Sequence, residues 1–584
     1  MSHHKADPNK NVTLTIDGIS VTVPEGTLIL DAAKKIGINI PVLCYHPDLK
    51  VRATCRVCLV ELKGQKKLRT ACGNEVWEGA EFITTSKAVR EARKTVLELI
   101  LADHPQDCLQ CIRNGSCELQ QLASDFGITN TVFKETECAQ SKLPIEDGNP
   151  AIVRDPNKCV KCGRCVEVCQ EVQTVGAINT AHRSTHYEVT TAFDKPLDEG
   201  TCIFCGQCVA VCPVGALYEK DDTAKVWAAL ENPEMHVVVQ TAPAIRVALG
   251  EDFGMAAGSI TTGKMVASLR RLGFDKVFDT NFSADVTILE EGNELLERLK
   301  NGGALPLITS CSPGWVNFVE KFYPELLPNV SSCKSPQQMF GALAKTYYAE
   351  KAGISPDKIF VVSIMPCTAK KYECARPEMN SSGYQDVDVV LTTRELARMI
   401  KQSYINFENL PDEKFDEPLG ISTGAAVIFG TSGGVMEAAL RTVYEVVTGQ
   451  TLANLDFEIV RGFEGVKEAE VDLAGTKVKV AVANGMKNAR VLLEKIKTGE
   501  VVYHFVEIMG CPTGCIGGGG QPYGTTCTTK ESRMQSMYEI DRDSEIRQSH
   551  KNPAVTQLYE DFLGKPLGHK SHKLLHTHYT ARKK

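Results

Sequence analysis

The sequence predicts a modular protein of mixed α+β and α/β class, with three small cysteine-bearing modules ahead of one large α/β domain. Three observations predict it. The chain is 584 residues long, room for about four domains. Most of its 23 cysteines fall in short runs before residue 220. After Asp221 cysteines become sparse, and apolar strand patterns (HVVVQ, KIFVVSI, VKVAVA) alternate with helical stretches such as ELLERLK. A hydrophobic content of 43% excludes a disordered chain. Acidic residues outnumber basic ones, 72 to 65, for a formal charge of −7, which argues against a nucleic-acid partner. No apolar run reaches the roughly 18 residues of a membrane span. The polar start MSHHKADPNK has no secretory h-region, so a cytoplasmic protein is expected. In such a chain most thiols should bind metal, not each other.

Residues 11–23 alternate around Asp17-Gly18, with Val12, Leu14 and Ile16 on one face and Ile19, Val21 and Val23 on another. This predicts a β-hairpin. A short helix over 28–36, ending at Gly37, follows. Cys44, Cys55, Cys58 and Cys72 come next, spaced C-x10-C-x2-C-x13-C. The first loop is longer than in plant ferredoxins, but the hairpin, helix and cysteine loop fit a ferredoxin-like β-grasp module holding a 2Fe–2S cluster, with structural zinc as the alternative. The segment 86–103 predicts an amphipathic helix capped by Ser86. It leads to His104, Cys108, Cys111 and Cys117, a helical His/Cys3 module. Spacing alone leaves zinc equally open. Between two iron–sulfur modules, a His-ligated 4Fe–4S cluster is the better reading; its neutral imidazole should raise the potential.

Between about 140 and 220 one pattern occurs twice. Cys159, Cys162, Cys165 and Cys169 form C-x2-C-x2-C-x3-C, and Cys202, Cys205, Cys208 and Cys212 repeat it. This is the spacing of a bacterial 2[4Fe–4S] ferredoxin module, in which the fourth cysteine of each run reaches the other cluster. Cys159, Cys162, Cys165 and Cys212 are therefore expected at one cluster, and Cys202, Cys205, Cys208 and Cys169 at the other. Gln170 stands where the first run would usually carry proline. Paired zinc knuckles are the weaker alternative. A row of one-electron centres is a wire, and the large domain should hold the chemistry at its end.

That domain carries TSCSPGW (309–315), MPCTAKKYE (365–373) and EIMGCPTGCIGGGGQP (507–522). These resemble the three signature motifs of the FeFe (iron-only) hydrogenases. The resemblance covers essentially the whole chain, and the module order is that of the large clostridial-type enzymes. It implies an α/β H-cluster domain, whose cofactor is a 4Fe–4S cube joined through a cysteine sulfur to a two-iron unit with CO and cyanide. Cys367, Cys511 and Cys515 match the cube ligands, Cys515 being the bridging one. The first motif departs from the common form with two adjacent cysteines, having Cys311 followed by Ser312. Cys311 is thus a candidate for both proton donor and ligand, with Ser312 and Cys333 as other candidate ligands. Lys370 resembles the lysine that donates to a cyanide, Met365 and Met509 the methionines packed on the two-iron unit, and Pro243, Pro336 and Gln337 its pocket residues. Ala244 falls where many relatives have serine. Gly514 and the glycines 517–520 are expected to let backbone approach the cofactor. The family's proton path maps to Cys311, Glu291, Ser331, Glu294 and Arg298. Glu291, Glu294 and Arg298 share a helix face, which by spacing alone would be a solvated charged face.

The resemblance implies reversible 2H⁺ + 2e⁻ ⇌ H₂, with electrons relayed by one 2Fe–2S and three accessory 4Fe–4S clusters. Cys138, Cys333, Cys374 and Cys527 remain as buried structural thiols by default. The expected modules are 1–80 (2Fe–2S), 81–138 (His/Cys3), 139–220 (2[4Fe–4S]), 221–525 (H-cluster) and 526–584, which the resemblance makes a small-subunit-like segment, polar, charged and wrapping the surface as a helix or loose chain. No G-x-G-x-x-G after a strand is evident, so NAD(P) and flavin are expected on partner subunits of a hetero-oligomer, electron bifurcation among its options. A ferredoxin-dependent monomer and a hydrogen-sensing homologue are the alternatives.

Overall fold

The computed structural model describes residues 10–133, 143–473 and 475–583. Cys138 lies outside them. The chain opens with β1 (Asn11–Ile16) and β2 (Ile19–Pro24), joined through Asp17 (φ 49°) and Gly18 (φ 84°), the doubly left-handed turn that matches strand twist. Val12, Leu14, Ile16, Val21 and Val23 are buried, while Ile19, beside the turn, is 49% exposed. With β3 (Leu59–Leu62), β4 (Arg69–Thr70) and β5 (Glu81–Ile83) they form a sheet in the order β2-β1-β5-β3-β4, with β1 and β5 parallel. The helix Ile29–Lys35 buries Ile29, Leu30, Ala32 and Ala33, completing a ferredoxin-like β-grasp. Next comes the helix Lys87–Ala102, where Ser86 Oγ accepts from Val89 N (3.3 Å), and the shorter helix Glu118–Asp125.

The sequence repeat is also a backbone repeat. Lys161 (φ 54°) and Gly163 (φ 80°) turn the chain left-handed before the helix Arg164–Glu167, as Phe204 (φ 58°) and Gly206 (φ 69°) do before Gln207–Val211. Two small antiparallel pairs frame these turns: β6 (Ile152–Arg154) with β9 (Leu217–Glu219), and β7 (Asn179–Ala181) with β8 (Glu188–Thr190).

The large domain is built on two sheets. In the first, β10 (His236–Thr241), β11 (Lys276–Asp279), β13 (Ile359–Met365) and β14 (Val389–Thr392) run parallel in the order β11-β10-β13-β14. In the second, β12 (Leu307–Ile308), β17 (Phe505–Met509) and β16 (Thr476–Asn484) are parallel, and β15 (Val466–Leu473) closes the edge antiparallel. Strands such as β13 and β17 are buried almost end to end, as parallel strands covered on both faces must be. The C-terminal segment is ordered, with helices Cys527–Asp543, Pro553–Leu558 and His569–Leu575. Leu558, Leu563, Leu574 and Leu575 enter the core of the first sheet, so hydrophobic burial anchors a tail whose composition reads as polar. Among the described residues no helix is long and apolar enough to cross a membrane.

Candidate active site and cluster sites

Each signature motif leaves the carboxyl end of a parallel strand: TSCSPGW after β12, MPCTAKKYE from the end of β13, and the third motif along and beyond β17. Ala242-Pro243 leaves β10 in the same way. The carboxyl ends of both sheets therefore converge, the usual place for a ligand crevice in parallel α/β folds. A cavity of about 680 Å³ opens there. Cys311, Ser312, Cys367, Cys511 and Cys515 line it, with Lys370, Pro243, Pro336, Gln337, Met365 and Met509; Thr280 and Phe429 complete the wall. Cys333 lies elsewhere: its buried thiol points to Glu294 Oε2 (Sγ to O 3.9 Å).

Lys370 is anchored on this wall by donating to Cys311 O (3.1 Å) and Glu373 Oε2 (2.9 Å). Ser335 Oγ (2.9 Å) and Gln337 Nε2 (3.1 Å) donate to the same carboxylate oxygen. Gln337 Oε1 is buried without a partner, a polar atom aimed at whatever fills the space. Ser312 Oγ accepts from Gly510 N (3.0 Å). Burial pushes the Cys311 thiol well above its ordinary value, Glu291 adding to the shift; burial also raises Cys515, to about 12. The glycines 517–520 do something other than face the cavity. A Cβ on Gly517 would meet Pro512 O at 2.7 Å, on Gly519 Cys205 O at 2.5 Å and on Gly520 the Thr392 side chain at 2.8 Å, so they let protein backbones close on one another. Gly510 and Gly514 are the cavity glycines.

A string of polar groups leads outward from Cys311. Glu291 on the helix Thr280–Asn301 is buried, and burial with the neighbouring Glu294 pushes its carboxyl up to about 8. Ser331 Oγ hydrogen-bonds to Glu291 and donates to Glu294 Oε2 (2.8 Å). Arg298 Nη2 donates to Glu294 Oε1 (2.6 Å), and its guanidinium, 15% exposed, marks the rim.

The N-terminal cysteines gather as four sets. Cys58 and Cys72 sulfurs are 3.3 Å apart, and Cys44 Sγ accepts from Cys55 N (3.5 Å) and is hydrogen-bonded to Cys72. His104, Cys108 and Cys117 line one hollow, with Cys111 in electrostatic contact with Cys117. His104 Nδ1 is buried without a partner, and burial lowers its pKa to about 4, so the imidazole is neutral. Cys159, Cys162, Cys165 and Cys212 line a cavity of about 460 Å³, while Cys169 lies among Cys202, Cys205 and Cys208. Cys205 in turn neighbours Cys367 and Cys511 of the large cavity.

Comparison with known proteins agrees along the chain. Residues 235–519 match the model of the iron only hydrogenase large subunit, C-terminal domain, and 528–582 that of the iron hydrogenase small subunit. Residues 9–87 match a 2Fe-2S iron-sulfur cluster binding domain, 93–131 the NADH-ubiquinone oxidoreductase-G iron-sulfur binding region and 149–218 the ferredoxin-like domain of NADH-quinone oxidoreductase subunit 3. The NADP-reducing hydrogenase subunit HndD of Solidesulfovibrio fructosivorans is 52% identical over 98% of this chain and 99% of its own length. Iron hydrogenase 1 of Clostridium pasteurianum is 40% identical over 97% and 99%. The chain belongs to the iron-only hydrogenase family. Among solved structures, a variant of apo [FeFe]-hydrogenase HydA1 from Chlamydomonas reinhardtii is 45% identical, with a TM-score of 0.56 over 62% of this chain and all of that one (100%).

This iron-only hydrogenase is an oxidoreductase acting on H₂, and its N-terminal domains are iron–sulfur domains. The cavity suits the family's cofactor on its own evidence: several thiols converge with one ammonium and an unpartnered amide oxygen, between methionine and proline walls. Sequence reasoning did not single out Glu373 or Phe429. Glu373 stands three residues after Lys370 within the second motif, so helix spacing could have found it. Phe429 carries no local signal and is brought to the cavity by the fold.

Proposed function

We propose that this hydrogenase is the catalytic subunit of an NAD(P)-linked, hetero-oligomeric cytoplasmic complex, interconverting protons and H₂ with electrons supplied through its own cluster modules. The observation that carries the reading is that Cys205 lies close enough to Cys367 and Cys511 to act on them electrostatically: the last cysteine set of the wire neighbours the catalytic cavity. The near full-length likeness to a subunit named for NADP reduction supports the partnered form. The assignment is one 2Fe–2S cluster on Cys44, Cys55, Cys58 and Cys72, and three accessory 4Fe–4S clusters on the His104 set, the Cys159–Cys212 set and the Cys202–Cys169 set. The modules run 1–80, 81–138, 139–220, 221–525 and 526–584. Arg113 Nη1 donates to Cys212 O (2.9 Å) and Arg164 Nη2 to Tyr45 O (2.7 Å), so both N-terminal modules dock on the ferredoxin module. Electrons from two directions converge there and pass inward.

In the cavity, Cys367, Cys511 and Cys515 would hold the cube and bridge, with Ser312 offering oxygen at the fourth corner. When bound, the H-cluster with its CO and cyanide supplies an open iron site where H₂ is made or split heterolytically. Lys370, fixed by Glu373, presents an ammonium to an anionic diatomic ligand. Met365, Met509, Pro243 and Pro336 exclude water. Cys311, kept protonated by burial, exchanges a proton with Glu291, which passes it through Ser331 to Glu294 and out past Arg298.

The test is turnover by the matured chain alone and with its native partners. Reduced viologen should drive H₂ evolution by the chain alone, whereas H₂-dependent NAD(P)⁺ reduction should require co-purifying flavoprotein subunits. Full activity of the isolated chain with reduced ferredoxin, and no co-purifying subunits, would instead favour the monomeric form.

A further inference from the structure

The C-terminal tail reaches the outer end of the polar string, and it does so with histidines. His576 is buried; its Nδ1 lies 2.8 Å from Ser332 Oγ and its Nε2 3.1 Å from Glu290 Oε2. Ser332 N in turn donates to Glu294 (3.2 Å to Oε2). Glu294, Cys333 and His576 bring a carboxylate oxygen, a sulfur and a ring nitrogen within 4.8 Å of one another. That is the reach of one hydrogen-bonded water or of the Cys333 thiol. On the other side His576 stacks on His572 (centroids 4.8 Å, interplanar 4°), and His572 is exposed.

Resting on the proton path proposed above, we propose that His576 and His572 form a second arm of it, branching at Glu294 and opening to solvent at the helix His569–Leu575. A proton leaves Glu294, which becomes a carboxylate, and crosses through a water or the Cys333 thiol to the His576 ring; the ring then passes a proton through a water to His572 and so to buffer. Hydrogen oxidation runs the arm outward and evolution runs it inward. Three features fit a relay. Glu290 offers the imidazolium a buried carboxylate, itself held by Tyr559, Ser571 and Leu567 N. Arg298 carries a fixed positive charge on the first arm, whereas an imidazole accepts and returns a proton near neutral pH. Both ring nitrogens of His576 already have partners, so a cation taking the same three atoms would have to displace one of them.

The groups facing the arm are Glu290, Glu294, Cys333, Tyr559 and His578. The merely structural reading is that Glu290 and His576 pin the tail.

The experiment measures viologen-driven H₂ evolution of the matured full chain at low and high buffer concentration, for His572→Ala, His576→Gln and Glu294→Gln. His572 is exposed, so its removal leaves the fold intact. At low buffer both histidine variants should lose on the order of tenfold in rate. Added imidazole should restore His572→Ala, with melting temperature and iron content unchanged. Wild-type rates for both at low buffer would overturn the arm, as would a loss in His576→Gln that comes with a lowered melting temperature while His572→Ala stays fully active. Glu294→Gln separates the two ideas: full activity there would mean the whole path is wrong, whereas a dead Glu294→Gln beside fully active histidine variants removes only the second arm.

Discussion

In the proposed proton path, Glu291 is the residue on which the chemistry turns. Its carboxyl is raised from the ordinary range to about 8 by burial beside Glu294. It therefore binds a proton in the fold that it would lose in the unfolded chain, and it costs stability progressively as pH climbs from about 4.5 towards 8. Two outcomes follow. H₂ evolution should decline as pH passes about 8, where Glu291 loses its resting proton, and Glu291→Gln should cut turnover by about 10²–10⁴-fold. Glu291→Gln should also melt no lower than wild type at pH 8, which calorimetry would show; a marked loss there would mean that the carboxylate is a structural partner. Cys311 gives a second test. Cys311→Ala should abolish turnover and leave iron content unchanged, because the thiol lies beside Glu291 and burial keeps it protonated. A fall in iron would make it a ligand instead. At this scale the gathering of the N-terminal cysteines into sets was legible because their spacing is local chemistry, C-x2-C-x2-C dictating its own turn. Glu290 and His576 were not, since only the fold brings residues 286 apart into one hydrogen bond.

Among the elements, the third motif shows how a loop is forced into shape. Gly514 takes φ 91° and ψ −162°, a region almost closed to other residues, and a Cβ there would meet Ser432 N at 2.7 Å and Thr431 C at 2.8 Å. Gly514→Ala should cost about 1–3 kcal/mol in backbone strain alone. It should also move Cys511 and Cys515, so iron in the large cavity should drop while the accessory iron–sulfur absorbance persists; equal loss from all sites would point to global unfolding. The Asp17-Gly18 hairpin and the Ser86-capped helix were readable because turn and cap chemistry are local. The glycines 517–520 were misread because composition says that backbones come close but not to what. The tail was underestimated because four leucines scattered among charges give no clear period, yet all four reach the core.

Across the whole molecule, the parallel strands of two sheets converge at their carboxyl ends and the ferredoxin module packs there, its Cys205 backbone on Gly519. Fold class and module order were legible at this scale because each module carries its own cysteine signature. The two-sheet cavity was not, since it depends on strands up to 200 residues apart, such as β12 beside β17. In the proposed function, proton and electron routes meet at this one buried point: the Glu291 string through the helix Thr280–Asn301, and the cysteine wire through Gly206. The infrared spectrum of the matured, iron-loaded chain tests that point most directly. Sharp bands of CO and cyanide bound to iron, lost in Cys515→Ala with the accessory clusters intact, are the result expected. A protein carrying its full iron complement but no diatomic bands would contradict it.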